Sequence, residues 1–224
     1  MDSSDSCSQR AASSSPTSAS FVGSNRLRNF LQDNKLKGKI VLSDDKDLIS
    51  DAIVVKSLIW QVKSGPCICL VLCLDDKVDH NLVAQAISIL PQFNEMLPIS
   101  RKDVTLAGHD TAREVSGYEI GTIPPIGHAE KMPTLMDLSL VNRLKDYGRY
   151  FCGGGGEVGC ELLISLNQLL KLDNISIKPI SKNFQVKTKY VQLNMTNACS
   201  YDIYLAFSRT ILTTMYYWMR QIKF

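Results

Sequence analysis

The sequence predicts an α+β domain built on a mixed β-sheet, and three observations carry that prediction. Short apolar or alternating runs recur at 53–62, 67–74, 134–136, 149–152 and 160–164 and read as strands. The first two are separated by Lys63-Ser64-Gly65-Pro66, a turn that makes them an antiparallel hairpin. Stretches with helical spacing are short and interspersed among the dominant strands, which fits an α+β domain with a mixed sheet.

The elements follow in order. Residues 1–24 are serine-rich, nearly free of large apolar side chains, and predict a disordered tail. Ser24 is placed to cap a short helix with Leu27, Phe30 and Leu31 on one face, ended by Gly38. Residues 40–42 predict a short strand. The run 53–62 reads as a central strand, apolar on both faces. Asp79 opens a helix with Leu82, Val83, Ala86, Ile87 and Leu90 on one stripe, and Pro91 stops it. Residues 103–107 predict another strand. Thr111 and Glu114 have capping-box spacing before Gly117. Residues 166–172 predict a short helix after the last strand. Residues 183–224 form an extension holding five of the eight tyrosines. Within it, 203–219 is too short and too polar for a transmembrane helix.

Composition narrows the function classes. A hydrophobic content of 45% with 21% charged residues describes a globular chain with enough length for a core. The net charge of +3 is unevenly placed: residues 183–224 carry five basic side chains against Asp202, a sum of +4, so the preceding part carries −1. No strongly basic face is evident there, which argues against tight nonspecific nucleic-acid binding. Cysteines at 7, 67, 69, 73, 152, 160 and 199 lack the paired spacing of a zinc site. Cys67, Cys69 and Cys73 share a strand face as small core residues. Their odd number without a secretory signal predicts a reducing, cytoplasmic setting, with organellar import a minor alternative.

Three segments are candidates for chemistry. Lys56 lies in the strand Val54-Val55-Lys56-Ser57-Leu58-Ile59-Trp60. Strand alternation puts it with Val54, Leu58, Trp60 and Val62, where an ammonium either snorkels to solvent or opens into a cleft with a use. The loop Gly121, Thr122, Ile123, Pro124, Pro125, Ile126, Gly127 is stiff in backbone direction. It is either a rigid connection or a substrate-facing loop whose donors come from its non-proline residues. His128 follows directly, a residue suited to proton transfer near neutral pH. Gly153, Gly154, Gly155 and Gly156 permit close backbone approach and could cradle a phosphate through N–H groups. They lack the Gly-Lys-Ser/Thr of a nucleotide-hydrolase loop. No Ser-His-Asp order, metal cluster or dinucleotide motif competes.

Taken together, IVVKSLIW, ICLVLCL, DDKVDHNLVAQAI, REVSGYEIGTIPPIGH, MPTLMDLSL and GGGGEVGCELLISLNQLLKL resemble the YbaK family, the aminoacyl-tRNA synthetase-associated domain. The resemblance spans roughly residues 53–172. It implies a curled, barrel-like mixed sheet with helices packed around it, in a domain spanning 25–182. It implies an aminoacyl-tRNA deacylase that removes a mischarged amino acid without a metal or organic cofactor. Its partners would be the aminoacyl-tRNA 3′ end and an aminoacyl-tRNA synthetase, with no membrane. Lys56 falls where the family has its catalytic lysine. The loop 121–127, with His128, and the glycines 153–156 would contact the substrate end, and Asp137 matches a family aspartate that supports the pocket. Some relatives carry a serine in the glycine loop and an aspartate where Glu161 stands, and both positions bear on amino-acid selectivity. The stretch before Lys56 reads as shorter than is usual in the family. With that stretch and the C-terminal extension, a noncatalytic module binding tRNA or a synthetase through a degenerate pocket is the alternative.

Overall fold

A computed structural model describes residues 22–182 apart from Ser64, Leu97, Gly148 and Arg149. The predicted extension 183–224 and residues 1–21 of the predicted tail lie outside the described residues.

One eight-stranded mixed sheet organises the domain, in the order β1-β7-β6-β2-β3-β5-β8, with β4 on β2 off this path. The strands are β1 (Gly38–Leu42), β2 (Ala52–Val62), β3 (Cys67–Cys73), β4 (Val104–Leu106), β5 (Thr134–Asp137), β6 (Tyr150–Gly154), β7 (Cys160–Ile164) and β8 (Ile175–Lys178). The helices are α1 (Val22–Asp33), α2 (Lys46–Ile49), α3 (His80–Ser88), α4 (His109–Ser116), α5 (Leu138–Tyr147) and α6 (Leu166–Leu169). The predicted α+β class with helices around a mixed sheet is what the structure has. Among the described residues no pairing joins β1 to β8, so the sheet is not closed by strand pairing.

Two apolar clusters lie on the two faces of this sheet, and strand alternation sorts residues between them. Val55, Ile59, Cys69, Val71 and Cys73 pack with Leu27 and Leu31 of α1, Val115 of α4 and Leu140 of α5. Trp60, Val62, Ile68, Leu70 and Leu72 pack with Val83 and Ile87 of α3 and with Phe93. Among the described cysteines, Cys69, Cys73, Cys152 and Cys160 are buried core residues and Cys67 is half-buried. Burial pushes the Cys69 thiol up to about 12 and the Cys152 thiol up to about 11. Among the described residues no group of His, Cys, Asp and Glu is arranged to hold a metal ion. No helix among them is long and apolar enough to cross a membrane.

Several boundaries differ from the expectation, each for a physical reason. α1 starts at Val22, so Ser24 is inside it and fully buried rather than a cap. Its amide hydrogen instead reaches Glu157 Oε1 at 3.2 Å. The helix ends at Asp33 with Lys35 in the left-handed region (φ 51°), and Gly38 already belongs to β1. Thr111 and Glu114 do not cap α4; Gly108 does, in extended conformation, and Gly117 closes the helix at φ 75°. Helices α2 and α5 and strand β8 have no counterpart among the elements that the sequence predicts. The α3 start is as expected: Asp79 accepts from the amides of Asn81 and Leu82 at 2.8 and 3.2 Å.

Candidate functional site

The site begins as a gap in the sheet. One edge of β2 pairs with β3 from Val55 to Gln61. The other edge pairs with β6 at Ala52–Val54 and with β4 at Trp60–Val62. Between those two partners no strand among the described residues lies beside the edge of β2. Leu74 N–H donates to Val54 C=O at 3.1 Å and Ala107 N–H to Ile59 C=O at 2.9 Å. Antiparallel alternation therefore turns the peptide groups of Val55, Ser57 and Ile59 toward this second edge, where Ala107 already takes the Ile59 C=O.

A cleft of about 490 Å³ occupies this gap. It is lined by residues 54–59 of β2, by Leu74, by Leu106, Ala107, His109 and Ala112 around the β4–α4 junction, by Ile120, Gly121 and Ile123, and by Gly154 and Glu161. Each of the three predicted segments thus contributes to one cavity: Lys56, the 121–127 loop through Gly121 and Ile123, and the glycine run through Gly154. Val54, Leu74, Leu106 and Ile120 are 41%, 53%, 60% and 46% exposed, so the mouth is apolar. Lys56 is half-buried, and its ammonium donates to Leu74 C=O at 2.7 Å.

The loop and the glycine run are locked together by close backbone approach. A Cβ at Gly154 would lie 2.4 Å from Thr122 O and 2.7 Å from Ile123 O. A Cβ at Gly155 would lie 2.6 Å from the Cys160 carbonyl carbon. Gly153 similarly meets Val55 Cγ2 at 2.9 Å. Gly156 N–H donates to Thr122 C=O and Gly155 N–H to Cys160 C=O, both at 3.0 Å. Those two donors are spent within the chain, so they do not face a phosphate here. Thr122 N–H is likewise spent on Glu119 C=O at 3.0 Å.

The remaining expected residues lie elsewhere. Thr122, Pro124, Pro125 and Gly127 are buried in or behind the loop. His128 borders a separate groove beside Phe30, Lys131 and Asp173. Its Nε2–H donates to Pro124 C=O at 2.9 Å, which staples the loop. Burial pushes its imidazole down to about 4, although the Pro124 bond acts the other way. It is therefore neutral near pH 7. Asp137 is fully buried: its carboxylate accepts from Ile180 N–H at 2.9 Å, Ser181 N–H at 3.3 Å and Ser181 Oγ at 2.7 Å, and contacts Ser139 Oγ. It fastens β5 to the returning chain and does not reach the cleft.

Ser57, His109 and the apolar rim were missed, because only the gap between non-local strands brings them together. Glu161, the position that the resemblance ties to amino-acid selectivity, belongs to the site. It lines the cleft, accepts from Ser43 Oγ at 3.1 Å, and burial raises its carboxyl above the usual range.

A model of the aminoacyl-tRNA editing domain matches residues 46–172, more than half of the chain. Three solved structures share the fold. One, from work on computational epitope grafting, is 15% identical with a TM-score of 0.57, over 72% of this chain and 98% of its own. A proposed trans-editing enzyme for prolyl-tRNA synthetase is 17% identical with a TM-score of 0.55, over 71% and 97%. A hypothetical protein is 18% identical with a TM-score of 0.54, over 70% and 99%. No curated protein matches the chain's sequence.

Proposed function

The chain belongs to the aminoacyl-tRNA editing domain family, and we propose that it is an aminoacyl-tRNA deacylase hydrolysing a mischarged amino acid from tRNA. The observation that carries this reading is the convergence of Lys56, Gly121, Ile123 and Gly154 on one cleft at the gap in the sheet. Ester hydrolysis develops negative charge on a carbonyl oxygen next to a phosphate-bearing ribose. A fixed ammonium meets that charge, and backbone donors held by a rigid sheet add to it. Lys56 supplies the cation and the outward-turned Ser57 N–H supplies a donor beside it. The loop 121–127, held against Gly154, forms the wall that fixes the ester. The apolar lining suits an uncharged portion of the substrate. With His128 stapled outside the cleft, water is activated without it. The partners of this reading are the 3′ end of aminoacyl-tRNA and a synthetase that makes the error.

A deacylation screen over a panel of mischarged tRNAs tests it. Release of at least one amino acid, lost in Lys56→Ala, is expected. Binding of tRNA without hydrolysis of any ester would overturn the enzymatic reading in favour of a noncatalytic module.

A further inference from the structure

The ammonium of Lys56 rests on one carbonyl, and that carbonyl sits in the middle of a turn. Asp76 N–H donates to Cys73 C=O at 3.0 Å, which closes a four-residue turn over 73–76 at the end of β3. Leu74 is the second residue, so its C=O belongs to the central peptide. The place of that carbonyl in the molecule follows the two ends of the turn.

Both corners of the turn are gripped from outside. Arg143 of α5 donates through Nη1 to Cys73 Sγ and through Nη2 to Asp76 Oδ1, both at 2.8 Å. The Asp76 side chain is 1% exposed and that of Arg143 35%. Ser139 Oγ lies 3.2 Å from Asp76 Oδ2. Asp76, Arg143 and Ser139 are not among the residues lining the cleft. A buried ion pair contributes little net stability once desolvation is counted, and apolar side chains would hold α5 to the turn as well. What the pair adds is direction, because a planar guanidinium fork fixes two acceptors at a set separation.

We propose that Asp76 and Arg143 are positioning residues for Lys56. By clamping the corners of the 73–76 turn they aim the Leu74 carbonyl at the cleft, and that carbonyl aims the ammonium. The proposal rests on the reading of Lys56 as the group that meets the substrate.

The experiment uses the full chain carrying Arg143→Lys or Asp76→Asn. Lysine labelled with 13C at Cε is observed by NMR, and the Lys56 signal is identified by its loss in Lys56→Ala. In each folded variant the Lys56 signal should move toward the solvent-exposed lysines. Deacylation should lose kcat by between tenfold and about a hundredfold, as displacements of about an ångström do. KM should stay within about twofold. If Asp76→Asn does not fold, Arg143→Lys decides, since it keeps the charge and removes only the fork. An unmoved Lys56 signal, or a moved signal with unchanged kcat, overturns the proposal. A signal that moves in a chain whose parent hydrolyses no ester supports the clamp and overturns the proposed function instead.

Discussion

An ammonium among apolar neighbours needs an acceptor, and Lys56 finds one at Leu74 C=O. Leu74 itself is 53% exposed, so water can replace the lysine there at little cost. Lys56→Ala should therefore change stability by less than about 1 kcal/mol. It should lower deacylation by roughly a hundred- to a thousandfold. Thermal melting beside amino-acid release from mischarged tRNA checks both, and an active Lys56→Ala protein would sink the mechanism. His128 predicts the opposite pattern. Its folded pKa of about 4 lies below the ordinary imidazole value of 6.5, so the unfolded chain binds the extra proton first as pH falls. The stability held above pH 6.5 should drain away between there and about 4. Melting temperature followed over that window should flatten in His128→Gln, while the pH profile of kcat between 6 and 8 should match the parent's. A profile break lost in the variant would return His128 to the proton-transfer chemistry.

At the scale of elements, the glycine run and the Pro-Pro loop act as one packed unit. Gly154→Ala would press a methyl onto Thr122 O and Ile123 O, which are backbone atoms with nowhere to retreat. Overpacking of this kind costs about 1–3 kcal/mol. It should also push the loop off the cleft and reduce activity. Gly108→Ser is the matched control: it meets nothing within 4 Å, and its φ of −62° suits a helix cap. Denaturant unfolding of the two variants should separate them clearly, and equal stabilities would show that the loop gives way. This packing was readable from sequence only as permission for close approach. The hairpin was fully legible, since alternation and turn chemistry are local. Helix α5 was not, because Leu138, Leu140, Val141 and Leu144 follow the strand residue Asp137 without a separating turn. The four half-buried residues of β8 carry too short a pattern to read. The cleft was the least visible feature. It exists because one edge of β2 is shared between β4 and β6, strands from distant parts of the chain.

At the scale of the whole molecule, the folding unit is larger than the stretch that carries the family match, 46–172. On the N-terminal side, α1 buries Leu27 and Leu31 to 0% and 6% exposure. Each is worth about 1.5–3 kcal/mol of burial. Gly23 lies so close to Gly156 that a Cβ there would meet Gly156 O at 2.0 Å, so α1 also buttresses the glycine run. β1 covers the edge of β7 along its whole length, from Gly38 against Ile164 to Leu42 against Cys160. On the C-terminal side, β8 pairs with β5, and Asp137 takes its donors from Ile180 and Ser181. Removing those donors leaves a buried carboxylate short of hydrogen bonds worth about 1.5–3 kcal/mol each. These losses together are comparable to the 5–15 kcal/mol that holds a typical domain. A fragment of residues 22–182 should therefore melt cooperatively, and one of residues 46–172 should not fold. Circular dichroism melts of the two fragments check this. A cooperative transition in 46–172 would mean that α1, β1 and β8 decorate the sheet rather than complete it.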